Sequence, residues 1–158
     1  MKVNITLSPL ANVLAAINAA NTATSTNITE AQVTAAAPVV AAGTGGRNTS
    51  VALTGVNGEG IEGSRTFSYT RQSLDAGAVA STAPASVLVA QADNQAASVT
   101  KVATALGLLA SEFDASAYTA PADQLTPGTV TLTAKATSLL YVRSEERRVG
   151  KECMESVD

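Results

Sequence analysis

The 158-residue chain has no histidine, no tryptophan and one cysteine, Cys153, close to its end. Without imidazole, Ser-His-Asp and Cys-His catalysis are excluded, as is a zinc site built from His or paired Cys. Aromatic residues are few: Phe67, Tyr69, Phe113, Tyr118 and Tyr141 are all that the chain holds, and these bulky side chains are expected to anchor its core. Charge is also sparse up to Val142. The basic residues there are Lys2, Arg47, Arg65, Arg71, Lys101 and Lys135, too few and too scattered for nucleic-acid binding. The carboxylates are Glu30, Glu59, Glu62, Asp75, Asp93, Glu112, Asp114 and Asp123, mostly isolated. Their nearest approach to a cluster, Glu59-x-x-Glu62 in "NGEGIEG", lacks the spacing of a calcium loop and reads as a turn. A glycosidase would need two carboxylates facing each other across a cleft, which this scatter does not suggest. No apolar run approaches the ~18 residues of a membrane helix. Asn4, Thr6, Ser8, Pro9 and Asn12 interrupt what would be a signal peptide's apolar core, so the N-terminus reads as mature sequence. Sequons begin at Asn4, Asn27 and Asn48, as chance allows in a chain this rich in Asn and Thr. The expectation is therefore no catalytic, cofactor-binding or metal-binding residue, no cofactor, no small-molecule substrate, no nucleic acid and no membrane.

Charge density changes abruptly at Arg143: seven of the eleven residues 143–153 are charged. One reading is a solvated interaction tail or short charged helix. The other is that "RSEERRVGKEC" resembles, residue for residue, the translation of a short-read sequencing adapter, so that the gene was read into adapter DNA. On that reading residues 143–158 are an artefactual tail rather than a domain, and the natural chain lacks cysteine and continues differently after Val142. The origin of residues 154–158 stays open.

Ala, Thr, Val, Gly and Asn dominate what remains, a composition common in extracellular and virion proteins built from small, tightly packed β elements. Ser8-Pro9 predicts a helix start, with Leu10, Val13, Leu14 and Ile17 on one face and Asn21 at the end. Thr29-x-x-Gln32 reads as a capping box for a short helix over 30–36, stopped by Pro38. The glycines at 43, 45 and 46 lack the Lys-Ser/Thr of a phosphate loop and read as a turn or bulge. Residues 49–56 and 64–71 alternate, with Val51, Leu53, Phe67 and Tyr69 inward, and predict a hairpin. A strand over 85–91 precedes a second helix over 94–109, capped by Asp93 and carrying Val99, Val102, Leu106 and Leu109 on one face. A helical turn capped by Asp114, a turn at Pro127-Gly128 and a last strand or hairpin over 129–142 follow.

Two stretches resemble each other. Ile28-Thr29-Glu30-Ala31-Gln32-Val33 lines up with Phe113-Asp114-Ala115-Ser116-Ala117-Tyr118, each followed by a proline, and Val51-x-Leu53 lines up with Val130-x-Leu132. The fold class expected is α+β: two helix-plus-β-ribbon pseudo-repeats around one core, with mainly antiparallel strands. The units are 1–84 and 85–142, the second truncated.

The order of these elements over residues 10–142 is similar to that of an uncharacterised, repeated domain in virion structural proteins of large tailed bacteriophages. Its most specific parts are the Thr29–Gln32 cap with Val33 and Pro38, the strand start Asn48-Thr49-Ser50-Val51, and Tyr69-x-Arg71. The resemblance carries over no active residue. It implies a non-enzymatic virion component (capsid decoration, tail or fibre-associated module) that contacts other virion proteins or copies of itself, made in the bacterial cytoplasm and located in the virion. The alternative is a bacterial cell-surface or secreted adhesin-like binding module.

Overall fold

The computed structural model describes residues 2–21, 27–40, 46–74, 94–120 and 128–142. Helix α1, Pro9–Ala20, begins as its sequence dictates: Ser8 Oγ accepts the Ala11 N–H at 3.0 Å, and Pro9 occupies the first helical position, where its missing N–H has no partner to lose. Asn21 closes the helix through its own N–H to the Ile17 and Asn18 carbonyls. Val13 and Leu14 are buried, and Leu10 and Ile17 pack beside them. Asn12, also buried on α1, accepts the Asn4 N–H at 2.7 Å and donates to the Asn4 and Ser8 carbonyls, tying the N-terminal arm across the helix start.

The capping box forms, with Gln32 Oε1 accepting the Thr29 N–H at 3.0 Å, but it caps a single 3-10 turn, Glu30–Gln32, and not a helix over 30–36. Val33 is already extended, at φ −141° and ψ 151°. It opens β1, Val33–Ala35, because pairing with β3, Thr49–Gly55, satisfies the backbone and buries Val33, a tertiary gain that outweighs local helix preference.

β3 is the spine of the first sheet. β1, β2 (Val39–Val40) and β4 (Ser64–Tyr69) all pair with it antiparallel. Thr49, Ser50, Leu53 and Thr54 each have a partner in β4 and another in β1 or β2. β1 and β2 therefore lie end to end along one edge of β3, with Ala36 bonded to Ala52 between them and Pro38 in the connection just before β2, where its missing donor costs least. The expected alternation holds in β3: Thr49, Val51 and Leu53 are buried, while Ser50, Ala52 and Thr54 face outward. At the end of β3, Gly55 is obligatory, because a Cβ there would strike the Ile61 carbonyl.

In the second half Asn94, not Asp93, caps α2, Gln95–Ala105, accepting the Ala97 N–H at 2.9 Å; Asp93 lies outside the described residues. The helix stops short of 109 because Gly107 adopts φ +68° and the Gly107 and Leu108 amides fold back onto the Thr104 and Ala103 carbonyls. That closure buries Leu108 and leaves Val99 and Ala103 as the buried apolar face. A 3-10 turn, Ala110–Glu112, then leads into β6, Phe113–Thr119. The helical turn expected around Asp114 is therefore strand. Asp114 pairs with Thr133 of β7, Thr129–Ala134, and the ladder carries a bulge between Ala115 and Ala117. Phe113 goes inward against the core, which a helical turn at this point would forfeit. After β7 the chain turns at Ala136–Thr137. Its last strand, β8 (Tyr141–Val142), forms no hairpin with β7 and pairs in parallel with β5, Gln72–Ser73. The strand expected over 85–91, the 84/85 unit boundary, most of the 43–46 glycine cluster, Pro127 and residues 143–158 lie outside the described residues.

The fold is α+β with mainly antiparallel strands, and both halves contribute to one apolar core, from Val13 and Leu14 to Leu140 and Tyr141. Each helix leads to a 3-10 turn and then a strand in an antiparallel pair. The residue alignment of 28–33 with 113–118 does not match this order, because Ile28 precedes its 3-10 turn and Phe113 follows its own. Of the aromatics, Tyr69, Phe113 and Tyr141 are buried, whereas Phe67 and Tyr118 are half-buried.

Asn12 and Ser98 each stand four residues after an N-cap and are both buried, yet only Asn12 finds partners. Ser98 Oγ is buried with none. Ser98→Ala is therefore expected to stabilise the protein by about 1 kcal/mol, because it removes a desolvated hydroxyl and improves helix propensity. Urea unfolding at neutral pH checks this, and a loss of stability would mean that the hydroxyl is satisfied after all.

Candidate functional site

The two motifs singled out in the sequence, Asn48-Thr49 and Tyr69-x-Arg71, meet in space. The Asn48 carboxamide pairs with the Arg71 backbone as a strand residue would: Arg71 N donates to Oδ1 at 2.8 Å, and Nδ2 donates to the Arg71 carbonyl at 3.1 Å. Thr49 Oγ1 donates to Asn48 Oδ1 at 2.9 Å and accepts Arg71 Nε at 2.7 Å. This turns the Arg71 guanidinium, 2% exposed, into the core, where Nη1 donates to the carbonyls of Ser138 at 3.0 Å and Tyr141 at 3.2 Å. Among the described residues a hydroxyl and two backbone carbonyls take part of its charge.

Glu112 approaches the same segment from the other side. It is 6% exposed, the one buried carboxylate among the described residues. The end of its 3-10 turn aims Oε2 at Ser138 Oγ, 2.7 Å away, and at the Leu140 N–H, 3.0 Å away. Ser138 Oγ accepts the Tyr141 N–H at 3.0 Å. Tyr69 donates its hydroxyl to the Leu139 carbonyl at 2.8 Å, and the Gln72 N–H donates to the Leu140 carbonyl at 2.8 Å. Tyr141 is fully buried, with its ring 4.7 Å from that of Phe113 and its hydroxyl accepting the Leu109 N–H. Residues 138–142 are thus a strap laid across the seam between the halves and held from both sides.

Sequence reasoning identified Asn48, Tyr69 and Arg71 as specific features without a role. It missed Glu112 and Ser138, whose only legible signal is a Glu immediately before Phe113. The strap groups bond to one another across the seam, and the arrangement fastens the fold. Glu59 and Glu62 sit exposed on the loop after β3, where the Glu59 carbonyl accepts Gln32 Nε2 at 3.1 Å. Among the described residues no three His, Cys, Asp or Glu side chains gather as a metal site, and no helix is long and apolar enough to cross a membrane. The Asn48 sequon is engaged in the strap network and the Asn4 sequon is bonded to the Thr6 N–H, whereas Asn27 is exposed.

Burial pushes the Tyr69 phenol up to about 12; the Arg71 guanidinium opposes the shift and Glu112 adds to it. Tyr141 is also raised, mainly by burial. Well below pH 10 these phenols are neutral in both folded and unfolded chains. Between about 10 and 12 the unfolded chain gives up the Tyr69 proton that the folded chain retains, so stability falls as pH rises through that window. The urea midpoint should be flat from pH 8 to 10 and drop above it, with a smaller drop in Tyr69→Phe. An identical profile in that variant would contradict the assignment.

The fold and site define a small α+β domain whose halves are locked by a buried polar strap. The chain belongs to a family of unknown function, DUF7941, whose model matches residues 4–151. The match runs past Val142 into the charged segment. No curated protein and no solved structure matches the chain.

Proposed function

We propose that this protein is a non-catalytic structural component of a tailed-bacteriophage virion, acting through contacts with other virion proteins or with copies of itself. The observation that carries the reading furthest is the outer surface of the first sheet. Thr34, Ser50, Ala52, Thr54, Ser64, Thr66 and Ser68 form its solvent-side face, which has no charged residue, and its edge exposes Val39 at 61% and Val40 at 49%. An uncharged, hydroxyl-bearing sheet face with apolar edge residues suits packing against another protein surface, since little charge must be desolvated. The resemblance over residues 10–142 to a virion domain supplies the setting.

Mass spectrometry of purified virions of the phage encoding this chain tests the proposal. Its peptides should be present at a fixed ratio to the major capsid protein. Their presence in the infected-cell lysate and absence from virions would overturn it, and recovery in the bacterial surface fraction would favour an adhesin-like module instead.

A further inference from the structure

We propose that the strap at residues 138–142 is exchangeable: the slot that holds it in one copy accepts the same segment from a second copy, linking subunits through strap exchange. This inference does not depend on the virion reading. The slot is a recognition site for a Ser-Leu-Leu-Tyr segment that bends at Leu139 and Leu140, its turn closed by Ser138 Oγ accepting the Tyr141 N–H, before it enters β8. Arg71 and Glu112 take its Ser138 carbonyl and hydroxyl, Tyr69 takes the Leu139 carbonyl, and Gln72 and Glu112 take the two faces of Leu140. Leu140 and Tyr141 are fully buried in it.

Three features favour exchange. First, the strap's partners lie far away in sequence, 67 to 70 residues for Arg71 and Tyr69 and 26 to 28 for Glu112, so a second chain could present the same groups in the same geometry. Second, the link to β7 is a turn whose residues Ala136 and Thr137 are exposed, bridged by Ser138 N–H to the Lys135 carbonyl at 2.9 Å. Lys135 stays tied to its own copy by its N–H to the Glu112 carbonyl at 2.9 Å and its Nζ to the Ser111 carbonyl at 2.7 Å, so the hinge is Ala136–Thr137, whose straightening gives roughly 7 Å of reach and breaks the Ser138–Lys135 turn bond. Third, an empty slot would take from the buried Glu112 carboxylate its bonds to Ser138 and Leu140, a state costly enough that an open copy is driven to capture another strap. Because the strap-to-slot bonds made in exchange equal those broken, the balance is set by subunit concentration, which is high in any ordered assembly.

Cross-linking decides it. Ser73 and Val142 are neighbours in the parallel β5–β8 pair, at a strand spacing compatible with a disulfide. Full-length chains carrying Ser73→Cys and Val142→Cys separately, each with Cys153→Ser, are mixed at high concentration, warmed below the unfolding midpoint and oxidised. A chain carrying both substitutions serves as the intramolecular control. Exchange predicts a covalent heterodimer that rises with concentration, well above that from either variant alone. The proposal is overturned if the control closes internally while the mixture stays monomeric. It is overturned equally if the control does not close, because the strap is then not where the slot requires it.

Discussion

Arg71→Met should lower stability by about 3 kcal/mol, shifting the urea midpoint by roughly 1.5 M and Tm by about 10 °C. The guanidinium is 2% exposed and serves Thr49 Oγ1, the Ser138 carbonyl and the Tyr141 carbonyl at 2.7 to 3.2 Å. Methionine fills much of the same volume, so the loss is not chiefly a cavity. Two buried carbonyls lose a charged donor, each such loss costing on the order of 1–3 kcal/mol, and part is recovered because a buried charge no longer has to be desolvated. Arg71→Lys keeps the charge but not the fork, and should fall between wild type and Met. Hydrogen exchange supplies the local signature: the Gln72, Leu140 and Tyr141 amides should lose protection before those of β3. A loss under about 1 kcal/mol would mean that the strap is held by burial alone.

The distance over which information is stored separates what the sequence made legible from what it hid. The start of α1 at Ser8-Pro9, the apolar stripe of Val13 and Leu14, and the β3–β4 hairpin are written in residues a few positions apart, and all formed as expected. The segments 30–36 and 113–118 carry real local helix signals, and a capping box does form at Thr29–Gln32. Their fate was decided by strand partners about 20 residues away, which no local cap encodes. The early end of α2 was legible in Gly107, which is the left-handed closing residue the helix requires. Arg71 stood out only as part of the Tyr69-x-Arg71 strand end. Glu112 and Ser138, its counterparts across the seam, could not be found from pattern, because a bond spanning 26 or 67 residues leaves no periodicity behind.

The second large effect is expected at Tyr141, and two substitutions separate its ring from its hydroxyl. Tyr141→Phe keeps the ring packed at a tilt against Phe113 and removes only the acceptor for the Leu109 N–H, so about 1–2 kcal/mol should be lost. Tyr141→Ala removes the whole fully buried side chain and the aromatic pair as well, for an expected total of about 4 kcal/mol. Against a total stability on the order of 5–15 kcal/mol, the Ala variant should be measurably unfolded at 37 °C while the Phe variant remains folded. Tyr141 is also the last large residue of the strap, so Tyr141→Ala should release residues 138–142 together, seen as joint loss of amide protection at Leu140 and Tyr141. A cycle combining Tyr141→Ala with Arg71→Met tests whether the strap is one cooperative unit. If so, the double variant costs well under the roughly 7 kcal/mol sum, because either change alone already frees the segment the other was holding. Simple additivity would show instead that the aromatic pair and the guanidinium hold separate pieces of structure.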